Sequence, residues 1–370
     1  MAGIEPTNTL EQVLVPFKGA TGWRGEFGER LKRDGLPTKR DEDWKWSDVT
    51  RATKGIMGVG KVQFRSSVNP EWTEVRRAAE QDFFASLLAF ATTMNVTYFE
   101  PRNLTILDLD FRALRGVSQA AATIIGAAGQ SIRVHEHYSC VEQAFSAIGV
   151  DYVVGPGARV ERVILIDECP NSVLLLSSGV TLHETGEFVQ TVVSQGGKLV
   201  RHETQLHCAG KGAKATLNAA YLVGKSAQAD LTTRVNMDGP GGELSQLTKG
   251  IAYGGGHGVF QGKIHVKQAA QKTDAKMTHK GMIIDEKSEI DAKPELEIYA
   301  DDVQCAHGNA LGALDETALF YMRQRGIPEK RARALLIESF LAEPLDEITD
   351  EVLRDELKDL LQERLRGMTS

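Results

Sequence analysis

Glycine-rich turns that recur through the middle of the chain constrain the fold more than any other feature. They interrupt short apolar runs such as Val163–Ile166 and Phe188–Val193, and successive turns lie roughly 14 to 22 residues apart. No helical pattern separates these runs, and such a repeat of strand and turn is typical of a parallel β-helix, or β-solenoid. The turns are GPGARV at 155, SSGVTL at 177, QGGKLV at 195, GKGAKAT at 210, GKSAQAD at 224, GPGGELS at 239 and GGGHGVF at 254.

An antiparallel β-sandwich also contains short strands at regular spacing, so the spacing alone leaves that alternative open. We favour the β-helix because the turns share their composition as well as their spacing. Glycine suits the corners of a coil, where the backbone bends sharply and neighbouring coils approach closely. The sequence therefore predicts a mainly β protein whose β-helix core spans residues 98–312.

Helical patterns stand before and after the predicted core. Residues 8–33 read as a helix that Gly35 and Pro37 end, and Asn69–Pro70 begin a helix that runs to about Ala91. We therefore predict an N-terminal helical domain over residues 1–97. Between those helices lies a turn-rich loop, in which Trp44 and Trp46 are expected to anchor the loop to the protein body.

The strand pattern ends near Gly312, and the remainder of the chain reads as helix. The predicted helices are Asp315–Gln324, a second from Pro328 through Leu341, and a third that starts at Thr349. We therefore predict a C-terminal helical domain over residues 313–370. Such a cluster either caps the β-helix or docks another protein, and its composition does not separate these two roles.

Charge and hydropathy exclude several classes of partner. The net charge of −7 provides no basic surface for nucleic acid, and no apolar run has the roughly 18 to 20 residues of a membrane span. The N-terminal residues resemble neither a secretory signal nor a transit peptide. The four cysteines are widely spaced, which argues against a structural zinc site and against a disulfide scaffold. These features together predict a cytoplasmic protein.

Motifs for self-contained catalysis are absent from the sequence. It contains no GxxxxGK[ST], no GxSxG and no HExxH, and its GGGHG at 254 reads as a coil corner rather than a nucleotide loop. Some β-helix proteins cleave polysaccharides in a groove of carboxylates and aromatic residues, but aromatic residues are scarce between residues 150 and 300. We therefore predict a protein that is not an enzyme, with a carbohydrate-active β-helix enzyme as the distant alternative.

The tract at the joint between strand and helix carries two metal-ligand side chains, Cys305 and His307. In a strand, residues i and i+2 face the same way, so the thiol and the imidazole would share one face. Such a pair suits a borderline or soft metal such as iron or zinc. Two ligands leave a tetrahedral site incomplete, so a bound metal would need ligands from a partner or a cluster.

Three segments of the chain resemble the SufB/SufD family of iron–sulfur cluster assembly scaffolds. They are LPTKRDEDWKW at 36–46, KTDAKMTHKGMIIDEKSEIDAKPELEIYADDVQCAHGNALGALDE at 272–316, and FYMRQRGI at 320–327. Within the family, the tract DDVQCAHG resembles the SufD branch. The SufB branch tends to carry glutamate at the position of His307, and this chain lacks the cysteine-rich N-terminal segment of SufB-type proteins. A SufB-type paralogue is the alternative.

The resemblance implies a right-handed parallel β-helix flanked by N-terminal and C-terminal helical domains. It implies a SufBCD complex, in which this chain pairs with SufB through the end of the β-helix and with SufC, an ABC-type ATPase that hydrolyses the ATP. His307 falls on the family histidine that is a ligand for the nascent cluster at the SufB interface, and Cys305 is its neighbour. The isolated chain is expected to form a homodimer.

The resemblance also implies which residues meet each partner. No cofactor is expected on the chain alone: iron or an iron–sulfur cluster would be held transiently at the SufB interface, and any flavin would bind only to the assembled complex. SufC is expected to dock on the C-terminal helices. The residues assigned to that contact are Asp315, Phe320, Tyr321, Arg323, Arg325, Leu336 and Phe340.

Overall fold

The computed structural model describes residues 8–68, 71–74, 88, 95–99, 106–312 and 314–369. Within these ranges the helices are α1 Thr9–Leu14, α2 Gly22–Asp34, α3 Val49–Ala52, α4 Glu316–Gln324, α5 Glu329–Ala342 and α6 Glu351–Thr369, with 3₁₀ turns at Val15–Phe17, Glu42–Trp44 and Glu343–Leu345. The strands are β1 Val62–Ser66, β2 Glu71–Glu74, β3 Asn95–Phe99, β4 Ile106–Ala113, β5 Gly116–Gly126, β6 Ser131–Cys140, β7 Ala144–Val154, β8 Arg159–Ile166, β9 Cys169–Leu182, β10 Glu187–Ser194, β11 Gly197–Cys208, β12 Lys214–Val223, β13 Gln228–Met237, β14 Glu243–Ala252, β15 His257–Val266, β16 Asp274–Ile283, β17 Glu289–Ile298 and β18 Gln304–Gly312.

Two mainly parallel sheets form the body of the protein, and from β3 onward consecutive strands alternate between them. In the described part of the chain, sheet A has the order β17-β15-β13-β11-β9-β7-β5-β3-β2, and sheet B has the order β1-β4-β6-β8-β10-β12-β14-β16-β18. Every neighbouring pair from β3 and β4 onward is parallel. This confirms the prediction of a mainly β, parallel solenoid.

The interior between the two sheets is filled mainly by apolar side chains from both of them. The cluster includes Phe111, Tyr152, Phe188, Leu217 and Phe260, each at most 2% exposed. Because residues alternate sides along each strand, the opposite face of each strand points away from this interior. We call the residues that point between the sheets inward-facing, and the others outward-facing.

Glycines at the corners allow the coils to stack. A Cβ atom at Gly210 would lie 2.1 Å from the backbone nitrogen of Glu184 in the preceding coil, which is far closer than two such atoms can approach. Gly254 and Gly255 have φ angles of 55° and 79°, in the left-handed region that favours glycine. GGGHG at 254 is thus a coil corner, as predicted.

Cys140 and Cys169 form a single disulfide, in a chain whose cysteine spacing argued against a disulfide scaffold. Cys140 ends β6 and Cys169 begins β9, and their Cα atoms are 5.7 Å apart. Their sequence separation of 29 residues is close to one full coil, since side chains of Arg162 and Gln190, 28 residues apart, also meet in neighbouring coils. The wide spacing of the cysteines in the sequence suggested that they lie far apart in the structure, because the length of the coil repeat was not evident. Cys208 and Cys305 are free thiols.

The N-terminal helices pack on the outward face of sheet A. Val13, Phe27 and Trp44 are buried there against sheet residues such as Phe145 and Leu199. The Arg201 guanidinium carbon lies 3.9 Å from the centre of the Trp44 ring, so Trp44 anchors its loop as predicted. The helix predicted over residues 8–33 is interrupted: α1 and α2 are separate helices, because Pro16 starts a 3₁₀ turn and Gly19 adopts a φ of 78°.

Strands replace part of the second predicted N-terminal helix. Glu71–Glu74 form β2, which pairs antiparallel with β3, so the helix predicted from Asn69–Pro70 is wrong over these residues. Leu88 is helical and buried, and the remainder of that predicted helix lies outside the described residues. Strand β1 pairs antiparallel with β4. The β2–β3 ladder shows long-range pairing prevailing over a local capping signal.

The C-terminal helices pack on the outward face of sheet B and follow the predicted order. Leu319, Ile337 and Leu361, one from each helix, are buried together with Val193 and Leu222 of the sheet. No helix in the described part of the chain is long and apolar enough to cross a membrane. The division of the chain into domains at residues 97 and 312 remains a prediction.

A buried ion pair on the inward face of sheet B joins the neighbouring strands β6 and β8. Glu136 is fully buried and Arg162 is 1% exposed; they share two hydrogen bonds, Nε to Oε1 at 2.8 Å and Nη2 to Oε2 at 2.6 Å. The hydroxyls of Tyr138 and Tyr152 also donate to this carboxylate. Burial raises the pKa of both tyrosines, so both hydroxyls remain protonated donors.

Candidate functional site

The last coil of the solenoid ends in two strands that no further coil covers among the described residues. Strand β17 is the last strand of sheet A, and β18 is the last strand of sheet B. We refer to β17 and β18 together as the open end. All residues of β18 are exposed except Cys305, which is half-buried.

Register places the two predicted ligands on the inward-facing side of β18. Cys305 pairs with Ala275, and His307 pairs with Met277. Ala275 and Met277 both lie in the interior cluster, against which Cys305 also packs. Cys305 and His307 therefore share one face, as the i, i+2 spacing predicts, and this face looks across the open end of the interior rather than outward from the wall.

A chain of hydrogen bonds fixes β18 beside His307. Nδ1 of His279 lies 2.8 Å from Oδ1 of Asn309, and the Tyr221 hydroxyl lies 3.0 Å from Nε2 of the same ring. Burial lowers the pKa of His279, so the neutral ring can donate to Asn309 and accept from Tyr221. The ring also stacks on Phe260 at 4.9 Å. The edge strand is thereby held in place by contacts from the preceding coil.

The Cys305 thiol is protonated in this environment. Burial raises its pKa above the ordinary value for cysteine, outweighing the effect of a backbone hydrogen bond from Ala275. Since the thiolate is the form that binds metal, a bound metal or a partner cation would have to displace the proton. The pair supplies two ligands, and additional ligands would have to come from outside the chain.

Sequence reasoning missed another group of metal-ligand side chains. His257, Glu289 and Asp291 place one ligand atom each within 4.8 Å of one another. Glu289 and Asp291 belong to the terminal strand β17 but face away from the interior. Their E-x-D spacing was visible in the sequence, but the link to His257 exists only through strand register.

The residues predicted to contact SufC differ in accessibility. Phe320 and Tyr321 are 55% and 64% exposed on α4. Arg323 and Arg325 are also exposed, and Arg323 pairs with Glu329 at 3.4 Å. Asp315 is the N-cap of α4 and accepts hydrogen bonds from the backbone nitrogens of Thr317 and Ala318, so its side chain also stabilises the helix.

Leu336 and Phe340, the remaining two residues of that set, are partly buried. Both pack against the cluster between the C-terminal helices and sheet B. The Lys249 ammonium lies 4.5 Å from the centre of the Phe340 ring. These side chains contribute to attachment of α5 to the sheet, whereas Phe320 and Tyr321 are accessible to another protein.

A groove of about 600 Å³ lies between sheet B and α6. Its carboxylates include Asp108, which lies 3.0 Å from Nδ1 of His135, and Asp350, which lies 3.1 Å from Nη1 of Arg133. The alternative of a carbohydrate-active enzyme would be favoured by a carboxylate-lined groove together with C-terminal helices that offer no docking surface. Here Asp108 and Asp350 are each paired with a histidine or arginine side chain, and α4 exposes the aromatic side chains of Phe320 and Tyr321.

Comparison with known proteins identifies a family whose sequences match most of this chain. The family model described as "SUF system FeS cluster assembly, SufBD core domain" matches residues 111–340, which cover most of the solenoid and extend into α5. That range includes Cys305, His307 and the exposed aromatic residues of α4.

Individual relatives agree with the family match. The Escherichia coli iron–sulfur cluster assembly protein SufD is 31% identical over 243 residues, covering 65% of this chain and 57% of that protein. The chloroplastic protein ABCI7 of Arabidopsis thaliana is 31% identical over 57% of this chain and 44% of its own length. Bacillus subtilis SufD is 29% identical over 39% of this chain and 33% of its own length. The chain thus matches about half the length of these curated relatives.

Proposed function

Because the chain belongs to the SufB/SufD family of iron–sulfur cluster assembly proteins, we propose that it is a SufD-type scaffold subunit. It pairs with a SufB-type protein through the open end and with a SufC-type ATPase through α4. The observation that carries this proposal is the uncovered inward face of β18, which presents Cys305 and His307 where a partner would meet the interior.

The open end has the chemistry of a pairing surface. Edge strands carry unpaired backbone N–H and C=O groups, and addition of a partner strand satisfies them. Ile298, Tyr299 and Leu311 at this end are 40%, 62% and 47% exposed, although each is a large apolar or aromatic side chain. Covering them removes apolar surface from water, which favours association.

The cluster is the cargo of this surface. His307 supplies an imidazole and Cys305 a second ligand, while the partner supplies the remaining ligands that iron requires. The protonated Cys305 thiol fits transient binding, because loss of its proton is coupled to arrival of the metal. The right-handed sense of the coil, and flavin binding in the assembled complex, are expectations from the family.

The SufC-type partner is assigned to α4 because its exposed side chains include two adjacent aromatic residues, Phe320 and Tyr321, beside Arg323 and Arg325. Aromatic and arginine residues supply much of the binding energy in protein interfaces. ATP hydrolysis is assigned to that partner. Without a SufB-type protein, the same open end would pair with a second copy of this chain.

Replacement of His307 by alanine should lower cluster assembly by the reconstituted complex at least about tenfold, because one ligand of a shared site is lost. The measurement is the rate of cluster formation, followed by its visible absorption. Folding should be unaffected, since His307 is exposed and pairs through its backbone alone. His265→Ala, which changes a histidine on the outward-facing side of β15, is the control.

Complex formation must be measured on the same samples. Wild-type rates for His307→Ala in a complex that assembles normally would eliminate His307 as a ligand. Loss of the complex itself would instead show that the side chain acts in pairing. Failure of wild-type protein to bind any SufB-type partner would overturn the pairing proposal.

Replacement of both Phe320 and Tyr321 by aspartate should weaken binding of a SufC-type ATPase at least about 30-fold, as expected for an aromatic hot spot. Calorimetry with the purified ATPase measures the affinity. Val352→Asp changes a residue that is 70% exposed on α6 and is the matched control. Equal affinity for the double variant and the wild type would remove α4 from the interface.

A further inference from the structure

The outward wall of the last coil carries a second cluster of metal-ligand side chains, separate from the pair of Cys305 and His307. His257 begins β15 and Glu289 begins β17, and the two residues are register partners. Asp291 follows two residues after Glu289 and pairs with Val259. Two-residue alternation places Glu289 and Asp291 on one face of β17, and the parallel ladder places His257 on the same face.

This face points away from the interior. A Cβ atom at Gly258 would lie 2.4 Å from the Tyr221 ring, and Ile290 is buried in the interior cluster. The residues that alternate with them, His257, Glu289 and Asp291, therefore face outward. Cys305 and His307 face inward, so the two candidate sites do not share side chains or a surface.

The distances suit a single ion. Nε2 of His257 lies 2.8 Å from Oδ2 of Asp291, and the ligand atoms of all three residues lie within 4.8 Å of one another. Two ligand atoms that bind one ion at about 2.1 Å and at right angles are about 3 Å apart. The histidine–aspartate pair already has this separation, and a rotation of the Glu289 side chain would bring in a carboxylate oxygen as the third ligand.

Charge also favours a divalent cation. With His257 neutral, the cluster has two negative charges, and within the described part of the chain neither carboxylate forms an ion pair with lysine or arginine. Lys293, the next outward-facing residue on β17, is occupied by Glu42 at 2.7 Å and Glu295 at 3.4 Å. The side chains of His257 and Asp291 are 23% and 36% exposed, so water screens the cluster only in part.

We infer that His257, Glu289 and Asp291 form a binding site for a first-row divalent transition-metal ion on the outward wall of the last coil. An imidazole ligand disfavours Ca²⁺ and Mg²⁺, which prefer oxygen alone, and favours ions from Mn²⁺ to Zn²⁺. Three protein ligands leave positions for water, so the ion can exchange. Strand register fixes the backbone of His257 beside that of Glu289, so less conformational entropy is lost when the ion binds.

The test is titration of the full-length chain with Co²⁺, whose absorption in the visible range reports its ligands. The titration uses the double variant Cys305→Ala, His307→Ala, so that Co²⁺ cannot bind to those two side chains. One equivalent is expected to bind. Affinity should fall at least about tenfold in His257→Gln and in Asp291→Asn, each made in that background. The exposed Glu289→Gln provides a third variant that cannot disturb packing.

His265→Gln is the matched control, because it removes an imidazole from the same strand and the same face while leaving the cluster intact. It should bind Co²⁺ as the parent does. Equal affinity in the parent and in the His257, Asp291 and Glu289 variants would overturn the inference. So would absence of binding in the parent, or an equal loss in His265→Gln. Because Cys305 and His307 are already replaced, these outcomes are independent of the proposed function.

Discussion

Glu136→Ala is expected to lower the free energy of unfolding by about 3–5 kcal/mol, because it leaves the buried Arg162 guanidinium without its counter-ion. Both side chains are essentially inaccessible to water, and the carboxylate accepts two hydrogen bonds from Arg162 as well as those from Tyr138 and Tyr152. Removal of the Glu136 carboxylate leaves one charge and two hydroxyl groups without their partner in a low-dielectric interior. Gln190, which accepts from Nη1 of Arg162 at 2.8 Å, cannot neutralise the charge.

Urea denaturation measures the loss, and Glu243→Ala provides the comparison. Glu243 pairs with Lys214 at 2.9 Å in neighbouring coils, but both side chains are more than half exposed. A pair of that kind contributes about 0–1 kcal/mol. Losses of similar size for the two variants would contradict the view that burial makes the Glu136 contact indispensable.

Gly210→Ala is expected to lower the free energy of unfolding by about 3 kcal/mol, at the upper end of the cost of overpacking. The added methyl carbon would lie 2.1 Å from the Glu184 nitrogen and 2.2 Å from the His183 carbonyl carbon. These are backbone atoms of the preceding coil, so a change of rotamer cannot relieve the clash. Only a local separation of stacked coils can, and that separation breaks hydrogen bonds between them.

Gly308→Ala tests whether stacking is the cause. Gly308 lies in β18 of the open end, and a Cβ atom built there meets nothing within 4 Å. Its replacement should leave stability unchanged or raise it slightly, since glycine is costly in a strand. Thermal unfolding of the two variants provides the measurement. A large loss for Gly308→Ala, or none for Gly210→Ala, would refute the explanation from coil contact.

The solenoid was predictable from turn composition, but its coil length was not. Most of the predicted turns lie about half a coil apart, because each coil has two strands and two corners, but SSGVTL at 177 lies within β9. Nothing local distinguishes a corner that leads from sheet A to sheet B from one that leads back. Consequently the contact between Cys140 and Cys169 was invisible, although they lie close to one coil apart. The capping signal at Asn69–Pro70 was misleading because β2 gains its partner from β3, further along the chain.

The shared face of Cys305 and His307 was also predictable, since i, i+2 alternation fixes it. The direction in which that face points was not predictable, because the tract Cys305–Ala310 alternates small and polar residues without a clear apolar side. Register against Met277 and His279 decides the direction. The His257 cluster could not be predicted from the sequence for another reason. The hydrogen bond between His257 and Asp291 joins residues 34 positions apart, and no sequence pattern identifies a neighbour on an adjacent strand.

The two ends of the solenoid differ in a way that limits the size of any assembly. At the first end, β1 and β2 run antiparallel to their neighbours, whereas at the last end β17 and β18 continue the parallel ladders. A head-to-tail stack that continued both parallel ladders would need a last end to meet a first end, and the antiparallel β1 and β2 do not continue those ladders. Two last ends can instead meet across a two-fold axis, and that contact uses the last end of both molecules and closes the assembly at a pair. The first end thus disfavours growth into a filament, the usual hazard of an uncovered sheet edge.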